Sequence, residues 1–213
     1  MTAIKIFDNI AETDWQQMLE CFGAKRKKFA AGSNISARIN ADKTLGVLLA
    51  GEADLVRYDY DGYRNIMEHL TVGDMFGAPV TAAAGDEELS VTCDRKCEVL
   101  FMDYDDVIKR CPKACGHHST LVNNLLRIMT EKVQNLRTHI EVLSQRSLRT
   151  KLLTYFRKLA KKENAPSFTL PFTLADLADY LFVDRSAMLR EMKKLRDEGL
   201  LNSRGRKITL RPN

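Results

Sequence analysis

The 213-residue sequence has no apolar run of membrane-spanning length, and its N-terminus lacks the apolar segment of a signal peptide. It has only 5 cysteines, an odd number without the density of a disulfide scaffold. These absences argue against a membrane protein and against a small secreted fold held by disulfides. We therefore expect a cytoplasmic protein in a reducing compartment, with no membrane partner.

Catalytic signatures are also missing, since no nucleophile–base set, phosphate loop or carboxylate pair stands out. We predict no catalytic residues, no metal and no cofactor. Cys111, Cys115 and His118 would share one helix face and could suit a metal, but buried cysteines beside a surface histidine explain the pattern as well. Cys93 and Cys97 flank a short charged turn, so a redox switch and structural cysteines both stay open there.

Charge is divided unevenly along the chain. From residue 147 onward there are 15 Lys and Arg against 7 Asp and Glu, a net charge of +8. The first 146 residues carry 18 basic and 21 acidic side chains, a net charge of −3. This asymmetry indicates that the C-terminal part meets a polyanion.

Short strands separated by turns are predicted between about residues 25 and 102. Leu45–Gly51 is typical of a buried strand, and Cys97–Met102 of a final one. Asp61-Gly62 lies between two apolar segments and predicts a hairpin. Many short antiparallel strands indicate a small sandwich or barrel.

The apolar period changes after Pro112, where a long helix can begin. Its apolar residues alternate steps of four and three, as in a two-stranded coiled coil. We predict a homodimer interface, although a core helix of a monomer is the alternative. The predicted interface residues are Val122, Leu126, Met129, Val133, Leu136, Ile140 and Leu143.

Residues 172–201 predict two short helices joined by a tight turn. Thr173 and Asp184 are good N-caps for the two helices, and the second helix has an apolar stripe opposite a basic face. A helix exposing Arg and Ser at its start suits the major groove of DNA. Residues 203–211 predict a basic hairpin wing. An ordinary surface hairpin of helices is the alternative.

This arrangement resembles the Crp–Fnr family of transcription regulators, most specifically at residues 48–77, 97–103 and 130–136 and in the helix-turn-helix. The resemblance implies an α+β fold in three parts. An N-terminal antiparallel β-roll of the cyclic-nucleotide-binding, cupin-like type (residues 1–110) is the sensor or effector domain. A long dimerisation helix (111–144) and a winged helix-turn-helix that binds DNA (145–213) follow. The implied partners are double-stranded operator DNA, a second copy of the chain and RNA polymerase.

By the resemblance, Arg185 and Arg190 read bases. Ser186 stands where many members have glutamate, and Leu189 where they have a small or hydroxylated residue, so the half-site should differ. Phe182 replaces the usual turn glycine, and we expect a remodelled turn there because left-handed backbone strains Phe. The predicted DNA-binding residues are Thr173, Arg185, Ser186, Leu189, Arg190, Lys193, Arg204, Arg206 and Lys207.

The effector pocket departs further from the family. Ala78 replaces the glutamate that holds a ribose, and Leu89 replaces the arginine that holds a cyclic phosphate. A buried phosphate without a cation is costly, so we expect the effector, which is unknown, not to be cyclic AMP. The predicted pocket residues are Met75, Phe76, Gly77, Ala78, Pro79, Leu89, Ser90 and Thr130.

Two other functions stay open. One is an effector-binding module that acts through protein contacts, with the winged helix as a docking surface. The other is a cyclic-nucleotide receptor with a remodelled pocket. The basic C-terminal part favours DNA binding over a protein-docking role. Ala78 and Leu89 disfavour a cyclic-nucleotide receptor.

Overall fold

The structure is a computed structural model and describes residues 4–35, 43–77, 89–109 and 117–211. The chain divides into two compact units. The first contains Met1–Tyr63 and Met67–Gln134, and the second contains Arg64–Ile66 and Asn135–Asn213.

The N-terminal part of the chain is a β-roll with helices at its ends. Its elements are a 3₁₀ turn (Lys5–Phe7), α1 (Glu12–Cys21), β1 (Lys25–Phe29), β2 (Thr44–Ala50), β3 (Ala53–Tyr58), β4 (Arg64–Leu70), β5 (Met75–Gly77), β6 (Leu89–Cys93), β7 (Cys97–Asp103) and α2 (Tyr104–Ile108). The strands form a sheet of order β1-β7-β2-β5 and a sheet of order β4-β3-β6. The antiparallel β-roll predicted from the sequence is confirmed.

Strand β2 is apolar after Thr44, because both of its faces are covered over residues 45–48. Leu45 and Val47 lie in a core shared with α1 and the long helix, whereas Leu48 lies in the core between the two sheets. Gly46 leaves room for the Phe76 ring, whose atoms would be only 2.7 Å from a Cβ at that position. Side chains of alternate residues therefore build two cores from one strand.

The hairpin between β3 and β4 is confirmed, with β3 beside β4 in the sheet. Asp59 Oδ1 accepts hydrogen bonds from the backbone N–H groups of Asp61 (3.1 Å) and Tyr63 (2.9 Å). Gly62 has a φ of +81°, in the left-handed region that glycine adopts without strain. The local residues thus fix this turn.

The long helix α3 spans His118–Leu143. Its predicted start at Pro112 lies outside the described residues. Leu121, Leu125 and Ile128 pack into the core of the first unit. Asn124 Nδ2 donates to the carbonyl oxygens of Ile6 (3.1 Å) and Asp8 (2.7 Å), which fixes the rotation of this half of α3.

The second unit is a winged helix-turn-helix, as predicted. Its elements after α3 are α4 (Leu148–Lys162), β8 (Ser167–Thr169), α5 (Leu174–Leu181), α6 (Arg185–Asp197), β9 (Leu201–Arg204) and β10 (Lys207–Leu210). The strands form a sheet of order β8-β10-β9, and β9 with β10 is the wing. Phe156, Leu177 and Met188, each fully buried, pack α4, α5 and α6 around one core.

Candidate nucleic-acid interface and effector pocket

The start of α6 is held by its N-cap, Asp184. Asp184 Oδ1 accepts the backbone N–H of Ala187 (2.8 Å) and the hydroxyl of Ser186 (2.6 Å). These hydrogen bonds hold the pKa of the Asp184 carboxyl below its ordinary value, and the bond from the Ser186 hydroxyl has the largest effect. The Ser186 hydroxyl also accepts from Arg190 Nη1 at 3.1 Å. Ser186 therefore orients Arg190, one of the two arginines predicted to read bases.

Helix α6 has one buried face and one exposed face. Met188, Met192 and Leu195 are at most 1% exposed and anchor the helix in the core. The residues predicted to contact DNA lie on the exposed side: Arg185, Ser186, Leu189, Arg190 and Lys193. A well-anchored helix with exposed guanidinium groups in its first two turns has the form needed to enter a major groove.

Thr173 is exposed and is the N-cap of α5. Its Oγ1 accepts the backbone N–H of Asp176 at 3.2 Å and donates to the Asp176 carboxylate at 2.6 Å. The predicted N-cap is therefore present. Thr173 also remains accessible, so its predicted DNA contact is compatible with its capping role.

The wing presents a basic hairpin. Arg204 and Lys207 are exposed and pair directly across the strands, and Gly205 between them has a φ of +58°. Arg206 is only half-exposed, and its Nη1 lies 3.5 Å from the carbonyl oxygen of Pro171. Arg204 and Lys207 are therefore better placed than Arg206 to reach phosphates.

The last turn of α6 is tied to its neighbours by ion pairs and a hydrogen bond. Arg149 on α4 pairs with Glu198 through Nη1 and Nη2, and its Nη1 also lies 3.4 Å from Glu191 Oε1. Arg196 Nη1 donates to the hydroxyl of Ser203 on β9 at 2.9 Å. The helix is thus braced from α4 and from the wing.

The turn between α5 and α6 differs from our expectation. Phe182 has φ 54° and ψ 54°, which is left-handed, so the turn keeps the glycine-like conformation and is not remodelled. The N–H groups of Phe182 and Val183 bond to the carbonyl oxygens of Asp179 (3.4 Å) and Ala178 (3.1 Å). The strain that we expected to change the turn is tolerated instead, because the surrounding structure holds it.

The residues predicted for the effector pocket are divided between the two sheets. On β5, Met75 and Phe76 are at most 1% exposed and belong to separate cores, while Gly77 approaches the Thr44 carbonyl so closely that no Cβ would fit. On β6, Leu89 and Ser90 pair with Arg57 and Val56 of β3. Thr130 is exposed on α3, where its hydroxyl donates to Leu126 O at 2.9 Å. Ala78 and Pro79 lie outside the described residues.

A buried cation beside β5 was missed in the sequence. Lys132 on α3 is only 9% exposed, and its Nζ lies 2.6 Å from Glu68 Oε2 and 3.0 Å from the Met75 carbonyl oxygen. Burial raises the pKa of the Glu68 carboxyl, and the Lys132 ammonium opposes that rise. The charge of Lys132 is therefore already compensated. Only the apolar neighbours of Lys132 at i−4 and i−7, Ile128 and Leu125, could have indicated that it faces inward.

Four apolar side chains of the predicted dimer seam are exposed along α3. The exposed fractions are 60% for Leu126, 65% for Val133, 43% for Leu136 and 66% for Ile140. Val122 and Leu143 are half-buried, and Met129 packs partly against the first core. Leu126, Val133 and Ile140 are seven residues apart, so they form one stripe on the helix.

The described residues give no support to a metal or thiol site. No three His, Cys, Asp or Glu side chains cluster there, and Cys111 and Cys115 lie outside those residues. His118 is 7% exposed, so our expectation of a surface histidine was wrong. Cys93 and Cys97 are buried, and burial raises both thiol pKa values, that of Cys97 to about 12. Such thiols are protonated at neutral pH and react slowly with oxidants.

Two family models match the chain. A cyclic nucleotide-binding domain matches residues 26–113, and a Crp-like helix-turn-helix domain matches residues 150–212. The regulatory protein HlyX of Actinobacillus pleuropneumoniae is 24% identical over 119 residues, which are 54% of this chain and 47% of HlyX. The chain spans about half the length of the curated relatives that it matches.

Solved structures share the fold over nearly the whole chain. A CooA mutant of Carboxydothermus hydrogenoformans has a TM-score of 0.74 and 11% identity, covering 100% of this chain and 92% of its own. The regulator CLP of Xanthomonas campestris has a TM-score of 0.70 and 16% identity, covering 93% of this chain and 100% of its own. These structures share with this chain the architecture of a β-roll, a long helix and a winged helix-turn-helix. The chain belongs to the Crp–Fnr family of transcription regulators. None of its described helices is both long and apolar enough to span a membrane.

Proposed function

We propose that this chain is a sequence-specific, DNA-binding transcription regulator that acts as a homodimer. The observation that carries the proposal is the start of α6, where Arg185, Ser186 and Arg190 are exposed above a buried apolar stripe. Guanidinium forks match the paired acceptors of guanine in the major groove. The basic wing beside α6 supplies phosphate contacts that position the helix.

Selection of bound fragments from genomic DNA gives the duplex for the test. On that duplex, Arg185→Ala or Arg190→Ala should cost about 1–3 kcal/mol, with little change on a scrambled duplex. Lys207→Ala should weaken binding to both duplexes similarly and reduce the salt dependence. Lys28→Ala, which removes an exposed charge in the other unit, is the matched control. Equal losses on both duplexes for the arginine variants would contradict base reading by α6.

The exposed stripe on α3 supports the homodimer. Leu126, Val133 and Ile140 place apolar surface in solvent along the seam predicted from the heptad spacing. The same helix of a second copy, related by a two-fold axis, would cover this stripe. Two-fold dimers are the commonest type of oligomer. Two DNA-binding units would then read two half-sites.

We propose that the effector is not cyclic AMP. Leu89 cannot neutralise a phosphate, and Lys132, the buried cation beside β5, is paired with Glu68. An anionic ligand would therefore have to displace a buried carboxylate. The structural relative CLP is described as c-di-GMP responsive, and a ligand other than cyclic AMP for this chain would be in keeping with that relative. We leave the effector of this chain unassigned.

The proposed function also implies a compartment and a further partner. A regulator that reads an operator works in the compartment that holds the chromosome, so we propose the cytoplasm. RNA polymerase is the partner that regulation of transcription requires. We propose no catalytic activity for this chain, because the described charged groups of the two candidate sites serve a cap, ion pairs and the basic faces of α6 and the wing.

A further inference from the structure

The C-terminus of α5 is capped from two other helices. The left-handed turn at Phe182 satisfies the carbonyl oxygens of Ala178 and Asp179. The next two carbonyl oxygens accept side chains instead. Tyr180 O lies 2.7 Å from His139 Nε2 of α3, and Leu181 O lies 3.4 Å from Lys151 Nζ of α4. The last carbonyls of a helix have no partners within the helix, so these contacts fix where α5 ends.

His139 is held firmly at this contact. It is 6% exposed, and its ring stacks on the Tyr180 ring with a centroid distance of 3.8 Å and an angle of 3°. The Tyr180 ring in turn packs against Phe172 at 4.8 Å and Tyr155 at 5.5 Å. The end of α3 that belongs to the second unit is thereby joined to the core of the helix-turn-helix.

The position of this contact matters because it adjoins the turn that leads into α6. Phe182 is strained in its left-handed conformation, where glycine would not be, and its ring lies 5.9 Å from that of His139. A strained residue persists only where its surroundings over-determine the conformation. The hydrogen bond to Tyr180 O and the stacked rings are surroundings of that kind.

We propose that His139 is a positioning residue for DNA recognition. It caps α5 through Tyr180 O and holds the left-handed turn at Phe182, which sets the direction in which α6 leaves α5. A rotation of α6 would misplace Arg185 and Arg190 relative to base edges while leaving the positive charge of the unit unchanged. The inference rests on the proposed DNA-binding function.

Two substitutions separate the hydrogen bond from the stacked ring. His139→Phe keeps a ring but has no donor, and His139→Gln keeps an N–H donor without the ring. On the duplex selected by the wild-type protein, His139→Phe should bind about tenfold more weakly, the loss expected for one buried hydrogen bond, and His139→Gln should stay within about threefold. On a scrambled duplex neither variant should change. Adding Phe182→Gly to His139→Phe should recover most of the loss, because glycine needs no support in this turn.

Hydrogen exchange of the Val183 amide tests the cap without DNA. This amide bonds to Ala178 O across the turn, so it should exchange about tenfold faster in His139→Phe than in the wild type and revert in the double variant. Urea unfolding shows whether each variant is folded. The inference is overturned if His139→Phe keeps its selectivity and its slow exchange, or if it loses affinity for both duplexes in parallel. If the wild type itself does not discriminate between duplexes, the proposed function fails, and the exchange measurement still decides the cap.

Discussion

Truncation of Ile140 is the most direct test of the homodimer. Ile140 is 66% exposed in the single chain although it is one of the most apolar residues of α3. Burying a whole Ile side chain contributes about 1.5–3 kcal/mol, so covering its exposed two thirds would contribute about 1–2 kcal/mol. A two-fold interface contains the residue twice. Ile140→Ala should therefore weaken the dimer by about 2–4 kcal/mol, which is about 30-fold to 900-fold in the dissociation constant.

Sedimentation equilibrium over a range of protein concentrations measures this constant. Gln134→Ala is the matched control, because Gln134 is exposed on the same helix but lies away from the apolar stripe. It should leave the dimer unchanged. Leu136→Asp should be more severe, because it places two carboxylates at the interface, and should give monomers that no longer bind the selected duplex. A wild-type protein that is monomeric at micromolar concentration, or an Ile140→Ala variant indistinguishable from Gln134→Ala, would refute the seam.

Three further predictions concern the caps, the buried ion pair and the effector. Thr173→Ala should lower the free energy of unfolding by about 1 kcal/mol in urea titrations, whereas Thr173→Ser, which keeps the capping hydroxyl, should be close to the wild type. Lys132→Met removes the charge that opposes the rise in the Glu68 pKa. A carboxyl whose folded-state pKa lies above its ordinary 4.5 favours folding at low pH and loses that contribution as the pH rises through the raised pKa. At neutral pH the variant should be about 3–5 kcal/mol less stable than the wild type, and this difference should shrink as the pH falls toward 4.5. Adding Glu68→Gln should remove the extra pH dependence. Calorimetry should show no micromolar binding of cyclic AMP; such binding, with tighter binding to the selected duplex, would overturn our view of the pocket.

Many of the secondary-structure elements of this protein could be predicted from its sequence because they depend on local interactions. The caps at Thr173 and Asp184, the hairpin at Gly62 and the apolar stripe of α6 each depend on residues within about one or two turns of one another. Such short-range preferences act in the same way wherever the segment lies in the fold. The short strands, the long helix and the two helices of the helix-turn-helix were predictable for this reason, and so was the basic exposed face of α6. The arrangement of the strands as a β-roll was implied by the resemblance to the Crp–Fnr family.

Contacts between residues far apart in the chain were decided only by the tertiary structure. Lys132 meets Glu68 across 64 positions of sequence, and His139 meets Tyr180 across 41. Neither pair has a local signature, because a lysine or histidine on an amphipathic helix looks the same whether it faces solvent or a carbonyl. The conformation of Phe182 was also not predictable from local sequence. Its own preference opposes the left-handed turn, but the capped carbonyls and stacked rings around it outweigh that preference. Sequence determined which elements form, and tertiary packing determined which strained or charged residues they could hold.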